Sequence, residues 1–205
     1  MALETITKVR GITGNRRAAE LEDPRPKAHR PYPMQYVWDL AMKDGSVMTI
    51  RPIHPEDEPL MVKFHETLSA RSVYFRYFAS LSLKTRVAHE RLVRICFGDY
   101  DHDLALVAEI QGPAGPQIIG VGRINRLHPT DEAEVAILVT DAYQKHGVGE
   151  ELLRRTVRVA REEGIHALSA EMRPDNLAMQ VIAKRFGFRL KMQRDFASLR
   201  ARLEL

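Results

Sequence analysis

Residues 133–162 hold the pattern that most constrains the chemistry. An apolar run, Ala133–Thr140, passes through a short loop into a helical stretch beginning at Val148. In and around the loop stand Gln144, Lys145, His146, Gly147, Val148 and Gly149. A helix N-terminus offers unpaired N–H groups and the positive end of a dipole. Gly147 and Gly149 allow a phosphate to approach the backbone closely. The segment from Gln144 to Gly149 therefore reads as a cradle for a pyrophosphate, with Lys145 and His146 as nearby donors. Two glycines taken alone more often make only a tight turn. The loop is not a P-loop, since no Gly-Lys-Ser/Thr stands at the required spacing. Nor is it the three-glycine dinucleotide fingerprint.

Three glutamates, Glu109, Glu134 and Glu171, lie on runs that read as strands, where a carboxylate can serve as a general base. The sole cysteine, Cys96, falls on the apolar side of an expected helix with no base beside it in sequence, and reads as core. The eight histidines show no metal-ligand spacing, so no metal is expected. Asn176 precedes a helical run and suits an N-cap.

The elements that must position these groups follow from periodicity and turn residues. Tyr36–Met42 and Val47–Ile53 flank Lys43-Asp44-Gly45-Ser46, a hairpin signal. Helices are expected from His54-Pro55-Glu56-Asp57 onward, over Ser69–Phe78 and over Val87–Cys96. The aromatics Tyr74, Phe75, Tyr77 and Phe78 cannot all face the core of one helix. Strands at 104–110, 118–124 and 133–140 form an antiparallel meander. A helix over Val148–Glu163 is closed by Gly164. A strand at Ala167–Met172, a helix at Asn176–Phe186 and strands at Phe188–Met192 and Phe196–Leu205 follow. This order describes an α/β (α+β) layer fold, not a regularly alternating βαβ domain.

At this point two segments resemble a known family. Gln144-x-x-Gly147-x-Gly149, after an apolar strand and before a helix, resembles the acetyl-CoA motif of the GNAT N-acetyltransferase superfamily. Asn176-x-x-Met179-x-x-Ile182-Ala183-x-Arg185-Phe186-Gly187-Phe188 is similar to that family's late helix ending in Gly-Phe. A narrower likeness, to the GNAT domains of bacterial Pat-type protein lysine acetyltransferases, rests on three stretches. They are Ile50-Arg51-Pro52-Ile53-His54-Pro55-Glu56-Asp57, Ser72-Val73-Tyr74-Phe75-Arg76-Tyr77-Phe78 and Ala133–Val139.

The resemblance implies a GNAT fold, with a mixed and mostly antiparallel sheet flanked by helices over residues 34–205. It implies acetyl-CoA as acyl donor and no metal. It implies Glu134 as general base, with burial raising its pKa, and Glu109 and Glu171 in reserve. Main-chain groups of Ile137, Leu138 and Val139 would pair with pantetheine, and Asn176 would contact the cofactor arm. Many family members carry a tyrosine seven residues after this Asn; here the position is Ala183. The implied acceptor is a protein lysine, with an acyl-CoA synthetase as the implied partner. A small-molecule amine acetyltransferase and a non-catalytic acyl-CoA sensor are the rival readings.

Composition sets the frame. The net charge of +4 over 205 residues is unevenly spread. Residues 1–33 carry seven basic and four acidic side chains, which leaves +1 for the rest. A near-neutral body does not suit a nucleic-acid partner. Residues 1–33 read as a basic, proline-containing tail or linker. No apolar run approaches the roughly 20 residues that span a bilayer, and the first residues are too polar for a signal peptide. With one cysteine, a cytoplasmic location is expected.

Overall fold

A computed structural model describes residues 31–205, apart from Lys43, Gly98, Asp99, Asp101 and Asp195. Residues 1–30, including a short helix expected near Leu3–Val9, lie outside the described residues. Tyr32, placed by sequence in the lead-in, packs on the body. Its ring stacks on His54 at 3.9 Å and its hydroxyl donates to the Pro52 carbonyl at 2.9 Å.

The hairpin forms as β1 (Trp38–Ala41) and β2 (Val47–Pro52). Gly45 takes the left-handed conformation its turn requires, at φ 84°. Four helices follow: α1 (Glu58–Glu66), α2 (Ala70–Tyr77), α3 (Leu83–Arg86) and α4 (His89–Cys96). The meander is β3 (Asp103–Gly112), β4 (Gly115–Leu127) and β5 (Glu132–Val139). Then come α5 (Val148–Glu162), β6 (Ala167–Met172), α6 (Leu177–Arg185), β7 (Arg189–Met192) and β8 (Leu199–Glu204). The eight strands make one sheet in the order β1-β2-β3-β4-β5-β6-β8-β7. Every pair is antiparallel except β5 with β6.

The sheet is buried on both faces at its centre, as β3 shows. Leu104, Leu106 and Ala108 join the core under α5, with Leu152, Leu153 and Ala160. Ala105 and Val107 join a second core with Met61, Phe64, Val73 and Leu92 from α1, α2 and α4. A strand covered on both faces reads as a continuous apolar run, which is why β3 lacks clean alternation.

The structure departs from the sequence expectations in three places. Leu83–Arg86 forms a short helix where none was expected, capped by Ser82, whose hydroxyl accepts from the Thr85 amide at 3.1 Å. The last strand starts at Leu199, not Phe196. Phe196 is left-handed at φ 55° in a turn closed by the Gln193 amide donating to the Ser198 carbonyl at 2.9 Å. And β8 inserts between β6 and β7, a topology that no local pattern specifies. Among the described residues no helix is long and apolar enough to cross a membrane.

Candidate active site

The site begins where the sheet splits. β5 pairs with β6 only at Glu132, Ala133 and Glu134, opposite Ala167, Leu168 and Ser169. Beyond Glu134, β5 keeps its pairing with β4 through Val139, opposite Gly120. Its other edge, Val135–Val139, pairs with no strand among the described residues. The two strands therefore part into a cleft along Ile137, Leu138 and Val139, an edge without a strand partner whose Val139 carbonyl accepts from the Gln144 side chain. Such an edge presents main-chain donors and acceptors to any extended, amide-bearing ligand.

The loop at the open end of the cleft has the conformation a phosphate cradle needs. Lys145 is left-handed at φ 64° and Gly147 at φ 89°. Gly147 occupies the N-cap of α5, and a Cβ built on it would meet nothing within 4 Å, so the approach to the helix N-terminus is open. At Gly149 a Cβ would make only ordinary contact, 3.5 Å from Val139 Cγ2 and 3.9 Å from Ile137 Cγ2. The glycine whose backbone conformation is required is thus Gly147. Lys145 and His146 are exposed at the rim, and Val148 is buried behind it. His146 Nδ1 lies 2.8 Å from the Gln144 carbonyl.

Gln144 acts through its side chain on the protein itself. Its amide donates to Ser72 Oγ at 2.9 Å and to the Val139 carbonyl at 3.2 Å. Ser72 in turn donates to Asp141 at 3.0 Å. Asp141 also accepts from the Ser69 amide at 2.8 Å and the Ser69 hydroxyl at 2.7 Å. This network fixes the N-terminus of α2 to the loop. Burial opposes the Asp141 charge, but the Ser69 and Ser72 donors prevail and hold its carboxyl below the ordinary range. Neither Asp141 nor the two serines was among the residues singled out in the sequence. The only sequence signal was their position within two stretches picked for other reasons.

Glu134 stands at the fork itself, opposite Asn125 on β4 and Ser169 on β6. Its side chain is exposed, contrary to the expected burial. Arg76, near the C-terminal end of α2, lies close enough for charge interaction with Glu134 and Arg123. Burial lowers the Arg76 pKa, while Tyr77 and Glu134 oppose that shift.

The reserve carboxylates are differently placed. Glu109 is engaged by Arg51 at 2.6 Å, and the same guanidinium also pairs with Asp57 at 2.7 Å, a structural cluster two strands from the fork. Glu171 is exposed on β6 and accepts from Ser198. Asn176 caps α6, accepting from the Met179 amide at 3.3 Å. Ala183, where many relatives carry a tyrosine, is buried and brings no acid. Cys96 is 1 % exposed, and burial pushes its thiol up to about 12, which fits a core residue. No cluster of three or more His, Cys, Asp or Glu arranged for a metal occurs among the described residues.

The aromatics of α2 divide as one helix must divide them. Val73 takes the core position. Tyr74 lies under Arg173 at 5.0 Å, Phe75 under Arg71 at 5.1 Å, and Tyr77 under Arg91 at 4.9 Å.

Comparison with known proteins agrees with this arrangement. Residues 48–189 match the acetyltransferase (GNAT) domain family. A curated relative, acetyltransferase PA5475 of Pseudomonas aeruginosa, is 26% identical over 151 residues, covering 74% of this chain and 80% of that protein. Acetyltransferase Pat of Mycolicibacterium smegmatis is 29% identical over 157 residues, covering 77% of this chain but only 44% of that protein's length. Among solved structures, the GNAT domain of S. lividans PAT superposes with a TM-score of 0.76 at 32% identity. That match covers 85% of this chain and 99% of that domain. With the split sheet, the open loop and these matches together, the chain belongs to the GNAT family of acetyltransferases.

Proposed function

We propose that this chain transfers acetyl from acetyl-CoA to the ε-amine of a protein lysine, by direct attack assisted by a general base. One observation carries the reading: Glu134 stands exposed where β5 parts from β6, beside a strand edge that no other strand covers among the described residues. The similarity to two Pat proteins supports a protein lysine as acceptor; an acyl-CoA synthetase is the partner we propose to try first. A cytoplasmic setting belongs to the same reading.

The residues present fit the donor. The pyrophosphate rests on main-chain N–H groups from Lys145 to Gly149, with the open space at Gly147 admitting it. Pantetheine runs along the free edge of Ile137–Val139, and Asn176 borders it while capping α6. Glu134, directly or through a water, takes a proton from the lysine ammonium. The freed amine attacks the thioester carbonyl, forming the N–C bond. A main-chain amide of β5 stabilises the charge that grows on the oxygen. As the carbonyl re-forms the C–S bond breaks, and the surplus proton on the new amide nitrogen passes through water to the leaving thiolate, since Ala183 supplies none.

The test is release of CoA from acetyl-CoA by wild type and Glu134→Gln, offered an acyl-CoA synthetase and a panel of small amines. Release with the synthetase alone, reduced about 100-fold or more in the variant with unchanged acetyl-CoA affinity, is expected. Release only with small amines would assign a small-molecule acceptor. Acetyl-CoA binding without any turnover would make the domain a sensor.

A further inference from the structure

Strand register defines a row of side chains running outward from Glu134. Glu134 pairs with Ser169, Ser169 with Arg202, and Arg202 with Arg189, so all four stand on one face of the sheet. In the parallel row Glu171 pairs with Arg200, and Arg200 with Lys191. This is the face on which α1, α2 and α4 pack, through Val107, Val121 and Leu138 on β3–β5. Over β6 it carries the buried Ala167 and Ser169 and the exposed Glu171, and over β8 and β7 Arg189, Lys191 and Arg200 are exposed.

The hairpin of β7 and β8 thus sets cations directly against each other, Arg189 opposite Arg202 and Lys191 opposite Arg200. Like charges facing across a pair of strands weaken the pairing. Hydrogen-bonded ion pairs compensate at Arg202, which holds Glu132 through two bonds of 2.7 and 2.8 Å and Glu204 through one of 2.8 Å. Arg189, Lys191 and Arg200 form no ion pair among the described residues. They line an open cleft of about 560 Å³ at the sheet edge. Three exposed cations without an ion pair, outnumbering Glu171 opposite Arg200 and Glu204 in the cleft lining, stand in one row system with the exposed Glu134 and form a docking surface for carboxylates.

We infer that the acceptor protein carries a cluster of Asp and Glu side chains near its reacting lysine, and that this cluster docks on Arg189, Lys191 and Arg200. The inference rests on lysine as the acceptor. Distance sets the spacing. Three strand steps separate Glu134 from Arg189, about 14 Å, which an extended segment covers in about four residues.

The test compares lysine peptides that carry Asp/Glu, Gln or Lys/Arg three to five residues from the acceptor, using the full chain. Wild type is expected to favour the acidic peptide over the neutral one by about tenfold in kcat/KM at low salt, the preference shrinking as ionic strength rises. Combining Arg189→Glu, Lys191→Glu and Arg200→Glu should reverse the preference while leaving acetyl-CoA affinity intact. Combining Arg189→Gln, Lys191→Gln and Arg200→Gln sets no like charges against each other or against Glu171, and should abolish the preference without a fall in melting temperature. Peptide turnover that ignores flanking charge, or a preference that survives either triple variant, would overturn the docking site while leaving lysine acetylation standing. Turnover of small amines but of no lysine peptide would overturn both. Binding of a DNA duplex by wild type but not by either variant, without peptide preference, would assign the patch to nucleic acid and overturn the inference.

Discussion

At the scale of single residues, Asp141 joins segments that sequence separation keeps 69 and 72 residues apart. Replacing it with Ala removes three acceptor contacts and leaves Gln144 as the remaining tie from the loop to Ser72. We expect about 1 kcal/mol of lost stability at this exposed position and about tenfold weaker acetyl-CoA binding, because the loop loses its anchor. Calorimetric titration and chemical denaturation measure the two effects. The stability effect should depend on pH in a defined direction. Since the folded carboxyl sits below its unfolded value, near 3.9, its contribution is complete above that pH and is lost as pH falls through the folded value. The gap between wild type and Asp141→Ala should therefore stay constant above about pH 3.9 and narrow only at lower pH. Gly147 gives a second residue-scale prediction. Its φ of 89° costs an L-residue roughly 1–2 kcal/mol, so Gly147→Ala should lower the melting temperature and weaken acetyl-CoA binding, whereas Gly149→Ala should preserve the fold. An unchanged melting temperature in Gly147→Ala would contradict the strain argument. Gly147 and Asn176 were legible in sequence because glycine before a helix and asparagine at a cap each have a local cause. Asp141 was not, because its partners come from a distant helix and its own neighbours resemble any turn.

At the scale of elements, α5 sits close to the sheet because β4 carries glycines beneath it. A Cβ on Gly120 would come within 2.8 Å of Leu152 Cδ1 and 3.2 Å of Val148 Cγ1. On Gly122 it would come within 3.1 Å of Ile137 Cδ1 and Thr156 Oγ1. Leu152 is fully buried and has no room to withdraw. Gly120→Val should therefore destabilise by about 1–3 kcal/mol and tilt the helix whose N-terminus faces the cradle. Denaturation that matches wild type would show that the helix yields freely. Most elements were legible, because periodicity and punctuation are local: β6 and α5 fall within a residue or two of their expected spans. Gly120 and Gly122 read only as interruptions of an apolar run, since what they accommodate is a helix lying beyond β5 in the chain. The fork between β5 and β6 was equally hidden. It depends on which residues pair across two strands, and both strands look continuous in sequence.

At the scale of the whole molecule, pH sensitivity concentrates in one buried side chain. His65 is 1 % exposed, and neither ring nitrogen has a hydrogen-bond partner. Burial, with Arg86, Arg91 and Arg76 nearby, pushes its pKa down to about 4 from 6.5. The folded state therefore keeps His65 neutral where the unfolded chain has already taken up a proton. Stability is complete above about pH 6.5 and declines as pH falls toward 4, by about 3 kcal/mol in all. His65→Phe should flatten that decline in denaturation measured from pH 7 to 4.5. A variant that keeps the wild-type slope would place the sensitivity elsewhere.

The position of β8 bears on how the protein is made. During translation β6 and β7 both leave the ribosome before the strand that joins them, since residues 199–204 follow both in the chain. Until then β6 holds β5 through three residue pairs, its opposite edge is bare, and β7 has no strand to pair with. A bare apolar edge invites pairing with other chains. The nascent polypeptide thus carries an adhesive edge beside the fork at Glu134 until residues 199–204 emerge and β8 joins β6 to β7.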